Sequence, residues 1–402
     1  MPTANLLVEK TFDIEAKTPI FVPYFADGAL KALAMELEGG TTTDNRIFIA
    51  DFTNKDIKQI TGTLPFSDLI RWDVKPWRIV ETKNKIIMYV VGGKSGSIEV
   101  LKVVFDKNDE TITFSSVKSI SAGFVTSWEA IAHAVIIGDT LYTRAGDDVP
   151  YLHVVDLVNE TYVQVDLSAT LSYAPNPSFK ISNIFKDSTH RQLMVLGHHL
   201  NGAPHYVIDI NRLEIVATLQ SAGGGSSRPL AGLPAVFTDK KIYPLPNGGV
   251  VGTSNDILFY DEHFNYLGTC DLASIMDYAN PIYGFSILAR LTDGRYFSIL
   301  ASSRNESTTL KIGYLCWLFL KSDFSYDSHY VIWEAPADDH KIWLANAMRE
   351  YGNQTELPII DLNNYKAYIY AIQKVGIHRL YEIDFSDLSI DEINPIAYLV
   401  YL

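Results

Sequence analysis

The chain has 402 residues, which exceeds one typical domain and fits two or three domains or a single repeat architecture. Apolar residues make up 47% of the chain and charged residues 20%, so the composition excludes intrinsic disorder and allows a large core. The 33 basic against 47 acidic residues give a net charge of −14, and we therefore expect no nucleic-acid partner.

The N-terminus contains neither a basic region followed by an apolar core nor a small-residue cleavage site, so we expect no secretion signal. This favours a cytoplasmic or virion-associated location over a secreted one. The longest apolar stretch, residues 312–320, is about half as long as a membrane helix requires. We therefore expect no membrane span.

A repeat runs along the whole chain, and each copy is a short apolar run that ends in aspartate. Neighbouring copies are separated by 50 to 62 residues. Such a constant spacing indicates a repeat architecture. The aspartates are Asp51, Asp106, Asp156, Asp209, Asp261, Asp323 (in a degenerate copy) and Asp384.

Each copy has the same local context. The apolar run is predicted to be a strand, and its aspartate opens a short polar turn, because an aspartate side chain bonds the backbone two residues further on. A second strand follows, as at residues 57–60, 110–114 and 161–165, and two more strands precede the run. Four short antiparallel strands in each repeat are typical of a β-propeller blade.

A second feature keeps a similar period. The innermost strand of each predicted blade from the second onward begins with a bulky residue, and these residues are 47 to 60 positions apart. Two independent features with the same spacing strengthen the assignment. The residues are Trp77, Trp128, Phe179, Val236, Tyr283 and Trp343.

The chain resembles the β-propeller superfamily over its whole length, without the Gly-His and Trp-Asp pairs of WD40 repeats or the paired glycines of kelch repeats. The resemblance implies an all-β fold, with residues 1–402 forming one seven-bladed propeller of four-stranded antiparallel blades. Pairing of the N- and C-terminal segments would close the ring, with residues 5–13 completing the last blade and strands also at 389–393 and 397–401. The predicted blades are 19–63, 75–119, 127–168, 178–220, 233–273, 282–335 and 341–395.

In a propeller, the loops that enter the innermost strand and those that join the second and third strands share one face around the channel mouth. Aromatic side chains there, with polar groups nearby, suit sugars or flat organic ligands. The alternative is that these aromatic residues wedge adjacent blades together. The candidate ligand-binding residues are Trp77, Arg78, Trp128, Arg144, His198, Arg228, Tyr283, Arg304 and Trp343.

Three carboxylates near the predicted mouth could act as an acid and a base. Glu129 follows Trp128, and an aromatic wall would raise its pKa by desolvation. Asp147 and Asp148 are adjacent in a glycine-flanked loop. The alternatives are a solvated turn for the two aspartates, and for Glu129 an ion pair with Arg78 or Arg144.

The histidines and cysteines do not form a metal site in the sequence. His198 and His199 are adjacent on a strand, so they would point to opposite faces. His133 and His340 could lie near the axis, but two ligands do not make such a site. Cys270 and Cys316 are the only cysteines and have apolar neighbours, which predicts two small buried side chains. We expect neither a metal nor a cofactor.

These observations favour a non-catalytic propeller that binds a protein or glycan partner through its loop face, as a scaffold, adhesion or virion-surface protein. An enzyme is the alternative: a hydrolase, lyase or isomerase acting on a small or sugar-like substrate in the channel mouth, with Glu129, Asp147 or Asp148 as acid and base. A metal-dependent oxygenase or redox propeller is disfavoured because the chain lacks a ligand set.

Overall fold

The computed structural model describes twenty-two segments of the chain, and within them the secondary structure is entirely β-strand, turn and bend. No helix in these segments is long and apolar enough to cross a membrane. The described residues are 3–12, 20–36, 46–63, 69–71, 77–94, 96–122, 135–144, 151–168, 179–186, 192–198, 205–219, 232–238, 241–244, 256–261, 266–271, 282–305, 311–334, 342–344, 359–361, 364–373, 376–393 and 399–400.

The N-terminal strand β1 (Thr3–Thr11) is followed by three sheets in chain order. Sheet 1 contains β2 (Ile20–Ala26), β3 (Ala29–Glu36), β4 (Arg46–Asp51) and β5 (Asp56–Ile60). Sheet 2 contains β6 (Leu69–Arg71), β7 (Arg78–Glu81), β8 (Lys85–Lys94), β9 (Ser97–Asp106) and β10 (Thr111–Ser121). Sheet 3 contains β11 (Val135–Ile137), β12 (Thr140–Arg144), β13 (Tyr151–Asp156) and β14 (Thr161–Asp166).

Four more sheets follow. Sheet 4 contains β15 (Phe179–Lys186), β16 (Gln192–His198), β17 (His205–Asp209) and β18 (Glu214–Leu219). Sheet 5 contains β19 (Gly232–Thr238), β20 (Lys241–Pro244), β21 (Asp256–Asp261) and β22 (Tyr266–Asp271). Sheet 6 contains β23 (Ile282–Leu291), β24 (Tyr296–Asn305), β25 (Lys311–Leu320) and β26 (Tyr326–Glu334). Sheet 7 contains β27 (Ile342–Leu344), β28 (Ile359–Asp361), β29 (Lys366–Gln373) and β30 (Ile377–Asp384), together with β1 and β32 (Leu399–Val400). The remaining strand is β31 (Ile390–Ile393).

The chain divides into two compact units. The first unit comprises Leu7–Pro177 and Val375–Leu380, and the second comprises Met1–Leu6, Ser178–Lys374 and Tyr381–Leu402. The described strands form successive sheets of four to six strands that pair mostly antiparallel, which is typical of a propeller. The prediction of an all-β fold built from such sheets is confirmed.

The predicted role of the repeated aspartates is confirmed where the structure describes their hydrogen bonds. In sheet 3, Asp156 Oδ1 accepts bonds from the backbone N–H groups of Val158 and Asn159 at 2.9 and 2.8 Å. Asp209 does the same in sheet 4, with Asn211 and Arg212 at 2.9 and 3.2 Å. Equivalent bonds from backbone N–H groups to the carboxylate are made at Asp51, Asp106, Asp323 and Asp384.

These turns also share a strained backbone position. The fourth residue after the aspartate has a positive φ at Lys55 (58°), Glu110 (52°), Glu160 (59°) and Leu213 (57°). Residues with a Cβ rarely adopt this left-handed conformation, which costs roughly 1–2 kcal/mol per residue. The carboxylate bonds therefore hold the turn in a conformation that its own residue types do not favour.

One predicted strand pairing was wrong. Sheet 5 is not fully antiparallel, because β19 pairs with β21 in parallel and β20 lies at the edge. Strand β20 has four residues and ends in Pro244, which cannot donate a ladder hydrogen bond, so an edge position suits it. The strand predicted at 389–393 is present as β31, which pairs with β23 of sheet 6, while β1 occupies the edge of β30.

Two apolar clusters lie between neighbouring sheets of the first unit. One joins sheets 1 and 2, with Leu33, Ile47, Val103 and Phe105 among its fully buried members. The other joins sheets 2 and 3. In the second unit, Cys270 and Cys316 are fully buried, as the sequence predicted, and burial raises the pKa of the Cys316 thiol.

Strand β1 binds both to β30 and to sheet 1, within the first unit. The Phe12 N–H donates to the Gly376 carbonyl oxygen at 2.9 Å, and the Arg379 Nε donates to Glu9 Oε2 at 2.6 Å. The ring of His378 lies 4.8 Å from that of Phe12 and 4.4 Å from that of Phe48 in β4. An aromatic cluster of three elements thus fixes the end of the N-terminal strand.

The first prediction concerns the aspartate turns. Asp209→Ala should lower the free energy of unfolding by about 1–3 kcal/mol, because the backbone N–H groups of Asn211 and Arg212 lose a charged acceptor, the buried Asp209 carboxylate. Asp209→Asn retains an acceptor oxygen at that position, so its decrease in the free energy of unfolding should be less than about half that of Asp209→Ala. Urea unfolding of the three proteins measures this, and equal losses in both variants would contradict it.

The second prediction concerns acid. Burial lowers the pKa of His378 to about 4, below its ordinary 6.5, so the folded state keeps it neutral while the unfolded state takes up a proton between these values. The contribution of His378 to the free energy of unfolding is therefore complete above pH 6.5. It falls as the pH drops towards 4, by about 3 kcal/mol in total.

Urea midpoints at pH 7 and pH 4.5 test this in the wild type and in His378→Leu. The decrease of the urea midpoint from pH 7 to pH 4.5 should be smaller in the variant than in the wild type, whatever the variant's overall stability. His153, whose pKa burial also lowers to about 4, is the matched site for a second variant. An unchanged difference in both variants would contradict the prediction.

Candidate functional site

Trp77 is a predicted site residue whose side-chain contacts the structure describes. Its indole Nε1 donates to the Gly138 carbonyl oxygen and to Asp139 Oδ1, both at 3.1 Å. Its ring makes an edge contact with Tyr89 in β8 at 6.1 Å and packs against the apolar cluster of sheets 2 and 3. Trp77 therefore joins sheet 2 to the β11–β12 hairpin of sheet 3.

Arg78 covers the same tryptophan. Its guanidinium carbon lies 4.5 Å from the centre of the Trp77 ring, and its Nη2 donates to Asp139 Oδ1 at 2.7 Å. The bond from Arg78 lowers the pKa of Asp139. The Arg78 and Asp139 side chains remain about half exposed, so this cluster forms part of the surface.

The Trp77 cluster lies at the turn end of sheet 3. The Gly138–Asp139 turn lies at the same end of sheet 3 as the Asp156 turn, since Thr140 pairs with Asp156 and the Leu157 N–H donates to Asp139 O at 2.9 Å. The Trp77 side chain thus contacts the turn end of sheet 3, not its loop end. These contacts are those of a residue that wedges two sheets together.

A buried carboxylate lies close to the β8–β9 hairpin, at the loop end of sheet 2. Glu99 is 3% exposed, and its Oε1 accepts bonds from Ser97 Oγ at 2.7 Å and from Ser119 Oγ at 2.6 Å. The hairpin above it turns at Gly96, whose φ of +80° favours glycine. Two hydroxyl donors on one buried oxygen tie β9 to β10 beneath this loop.

Lysines of outer strands reach the turn end of the next sheet. In each case the lysine pairs with an acidic residue that lies in the aspartate turn of that sheet or directly after it. Lys58 Nζ lies 2.6 Å from Glu110 Oε2, and Lys118 Nζ lies 3.0 Å from Glu160 Oε1. Lys10 of β1 pairs with Asp56 in the same way. We call these three ion pairs the lysine clamps.

Each clamp has further bonds at the same turn. Lys118 Nζ also donates to the carbonyl oxygens of Leu157 and Val158, both at 2.9 Å, and Lys10 Nζ to that of Ile57 at 2.9 Å. Lys31 Nζ lies 3.0 Å from Glu110 Oε1, so that glutamate holds two lysines. The lysine clamps therefore occupy much of the polar surface at the turn ends of sheets 1 to 3.

Other predicted site residues lie on described strands, although their side chains fall outside the description. Arg144 and His198 are the last residues of β12 and β16, and Arg304 is the next-to-last of β24. All three occupy equivalent positions, at the loop end of the second strand of a sheet. Tyr283 and Trp343 are the second residues of β23 and β27. Trp128, Glu129, Asp147, Asp148 and Arg228 lie outside the described residues.

Sequence reasoning missed Asp139 and Glu99. The signal for Asp139 is the Gly138-Asp139 pair between two apolar runs, a two-residue hairpin that presents its aspartate to a neighbouring sheet. The signal for Glu99 is a single carboxylate within the otherwise apolar residues 98–101. In the described part of the chain, no group of three or more His, Cys, Asp or Glu residues could hold a metal ion.

Comparisons with known proteins give no family. No protein-family model matches the chain, and no curated protein matches it. Solved structures are similar at low levels: a chain of the mitotic checkpoint complex has 7% identity, coverage of 93% of both chains and a TM-score of 0.37. A chain from the Saccharomyces cerevisiae Dbp5–Nup159–Gle1 assembly has 8% identity, 95% coverage of both chains and a TM-score of 0.31. Kluyveromyces lactis Hsv2 has 10% identity, 71% coverage of both chains and a TM-score of 0.30. At TM-scores below 0.5, these similarities support no argument about fold or function.

The third prediction concerns the Trp77 wedge. Trp77→Ala should lower the free energy of unfolding by about 3 kcal/mol, because it removes an aromatic side chain from the contact of two sheets. Trp77→Phe keeps a ring but loses the indole donor and should cost about 1 kcal/mol. Urea unfolding provides the measurement.

Val80→Ala is the matched control, since Val80 lies in the following strand β7 and is 52% exposed. It should change the free energy of unfolding by less than about 0.5 kcal/mol. If Trp77→Ala were as mild as this control, the indole would be free for a ligand and the wedge would be rejected.

Proposed function

We propose that this chain is a non-catalytic binding protein, a closed seven-bladed propeller whose seven sheets are its blades and whose loop face recognises a protein or glycan partner. The observation that carries the proposal is the contrast between the two ends of the sheets. Loops that must accommodate a partner vary, whereas turns that only connect strands need not.

At the turn end, the connection between the third and fourth strands has the same length in sheets 1 to 5. It is residues 52–55, 107–110, 157–160, 210–213 and 262–265. The aspartate bonds of sheets 1 to 4 and the lysine clamps of sheets 1 to 3 are made at this end, so these polar groups are already paired within the chain.

At the loop end, the connections between the second and third strands differ in length. They are residues 37–45, 95–96, 145–150, 199–204 and 306–310 in sheets 1, 2, 3, 4 and 6. Arg144, His198 and Arg304 stand at the beginning of three of these loops. A rigid scaffold with variable, polar loops at one end is suited to binding.

Contacts of the N-terminal strand support ring closure. Strand β1 pairs with β30 of sheet 7, while its residue Lys10 and the following Phe12 contact Asp56 and Phe48 of sheet 1. Pairing with β1 covers the edge of β30, which would otherwise be exposed and promote aggregation.

The fourth prediction tests this function with defined probes. The purified chain is screened on an array of oligosaccharides, with mass spectrometry of each bound sugar before and after incubation. Binding without any change in the sugar supports the proposal, and a cleaved or rearranged sugar would replace it by an enzyme. A ligand at a hundred times its Kd should stabilise the fold by roughly 2.7 kcal/mol.

Two loop variants show which end binds. Replacement of residues 145–150 by a glycine–serine loop of the same length should weaken binding at least tenfold. Replacement of the turn 210–213 by the sequence of the turn 157–160 is the matched control and should leave binding within about twofold. Weakening by the turn exchange alone would contradict a loop-face site. If no sugar binds, crosslinking mass spectrometry with captured proteins replaces the array, and crosslinks confined to the turn end would overturn the proposal.

A further inference from the structure

Strand β14 is the outer strand of sheet 3, in which the strand order is β11-β12-β13-β14, and none of the other described strands pairs with its free edge. It pairs with β13 residue for residue from Tyr151–Asp166 to Asp156–Thr161, without a register shift. Four other outer strands, β10, β18, β22 and β26, show irregular registers against their neighbours. An irregular edge is a poor template for another strand, whereas a regular edge is a good one.

Natural sheets also protect their edges with lysine or proline. Strand β5, another outer strand with a regular register, carries Lys58, and β10 carries Lys118. The centre of β14, residues 162–165, contains neither a charge nor a proline. Val163 at this centre is 56% exposed, so an apolar side chain stands on an unprotected edge.

Contacts with β13 and β10 hold strand β14 in place. The Tyr162 ring stacks on that of His153 in β13, with centres 5.4 Å apart and planes at 21°, and His153 is 1% exposed. At the start of the strand, the Lys118 clamp fixes the turn through the carbonyl oxygens of Leu157 and Val158. A preorganised strand loses little entropy when a partner pairs with it.

The charges around β14 indicate what kind of strand fits. Asp156 and Glu160 lie at one end and Asp166 at the other, and with Lys118 as the facing cation these four groups sum to −2. A second copy of this chain pairing antiparallel to β14 would place its Glu160 near Asp166, which like-charge repulsion disfavours. A basic partner would complement both ends.

We propose that the free edge of β14 binds an extended segment of another protein by β-strand addition, the segment having β-branched residues at its centre and lysine or arginine at its ends. Every second residue of an edge strand directs its N–H and C=O groups away from its neighbour, so the backbone supplies the hydrogen bonds. Val163 supplies the apolar contact. This surface is separate from the loop face and does not depend on that function.

The fifth prediction uses the full chain and a labelled eight-residue peptide, with two lysines at each end around Val-Thr-Val-Thr. Fluorescence anisotropy should show saturable binding that weakens with added salt, since exposed charges contribute. The same peptide with alternate backbone nitrogens methylated should bind at least tenfold more weakly, because it lacks the required donors.

Val163→Lys introduces the protection that β14 lacks and should weaken binding at least tenfold. Val216→Lys is the matched control: Val216 is a 36% exposed residue of the outer strand β18, whose register is irregular, and its replacement should change the Kd less than twofold. Circular dichroism confirms that both variants are folded.

Three outcomes would overturn the proposal. They are an absence of peptide binding to the wild type, equal binding of the methylated peptide, and equal binding to Val163→Lys. A dimer in sedimentation equilibrium that Val163→Lys abolishes would also overturn it, because a second copy would then be the occupant. The 145–150 loop variant should bind the peptide as the wild type does, so failure here is distinguishable from failure of the loop-face function.

Discussion

In sheet after sheet, the chain reverses direction at an aspartate that ends one strand and accepts backbone N–H bonds from the turn that follows. The bonds compensate a left-handed residue at the fourth position of the turn, which is a glutamate, lysine or leucine instead of glycine. In sheets 1 to 4 this turn has the same length, so the first residue of the fourth strand pairs with the aspartate each time. The remaining features of the sheets build on this constraint.

The same turns carry the connections between sheets. In the first unit, Lys10, Lys58 and Lys118 each reach the acidic side of a neighbouring turn, while apolar clusters fill the space between sheets 1 and 2 and between sheets 2 and 3. Exposed ion pairs contribute little stability individually, about 0–1 kcal/mol each. Their repetition at one end sets the register of sheet against sheet, and the apolar burial supplies the stability.

Buried polar groups show where this scaffold is specified most tightly. Glu99 is satisfied by two serine hydroxyls beneath the β8–β9 loop, and His378 packs between Phe12 and Phe48 at the end of β1. Each ties together elements that are distant along the chain or belong to different strands. A buried polar group is costly without its partners, so it penalises alternative packings as well as stabilising the native one.

The sequence by itself determined the all-β fold of successive sheets, the aspartate turns and the burial of both cysteines, because these depend on local alternation and on hydrogen bonds within four residues. It did not determine the partners of Trp77, which binds a turn about sixty residues away, or the pairing of β31 with β23. Nor could it reveal that Val163 remains exposed, since a valine in an alternating strand suits a buried face equally well. Those outcomes were decided by the tertiary structure, because contact between sheets depends on which edges are already occupied and on how side chains from distant segments fit together.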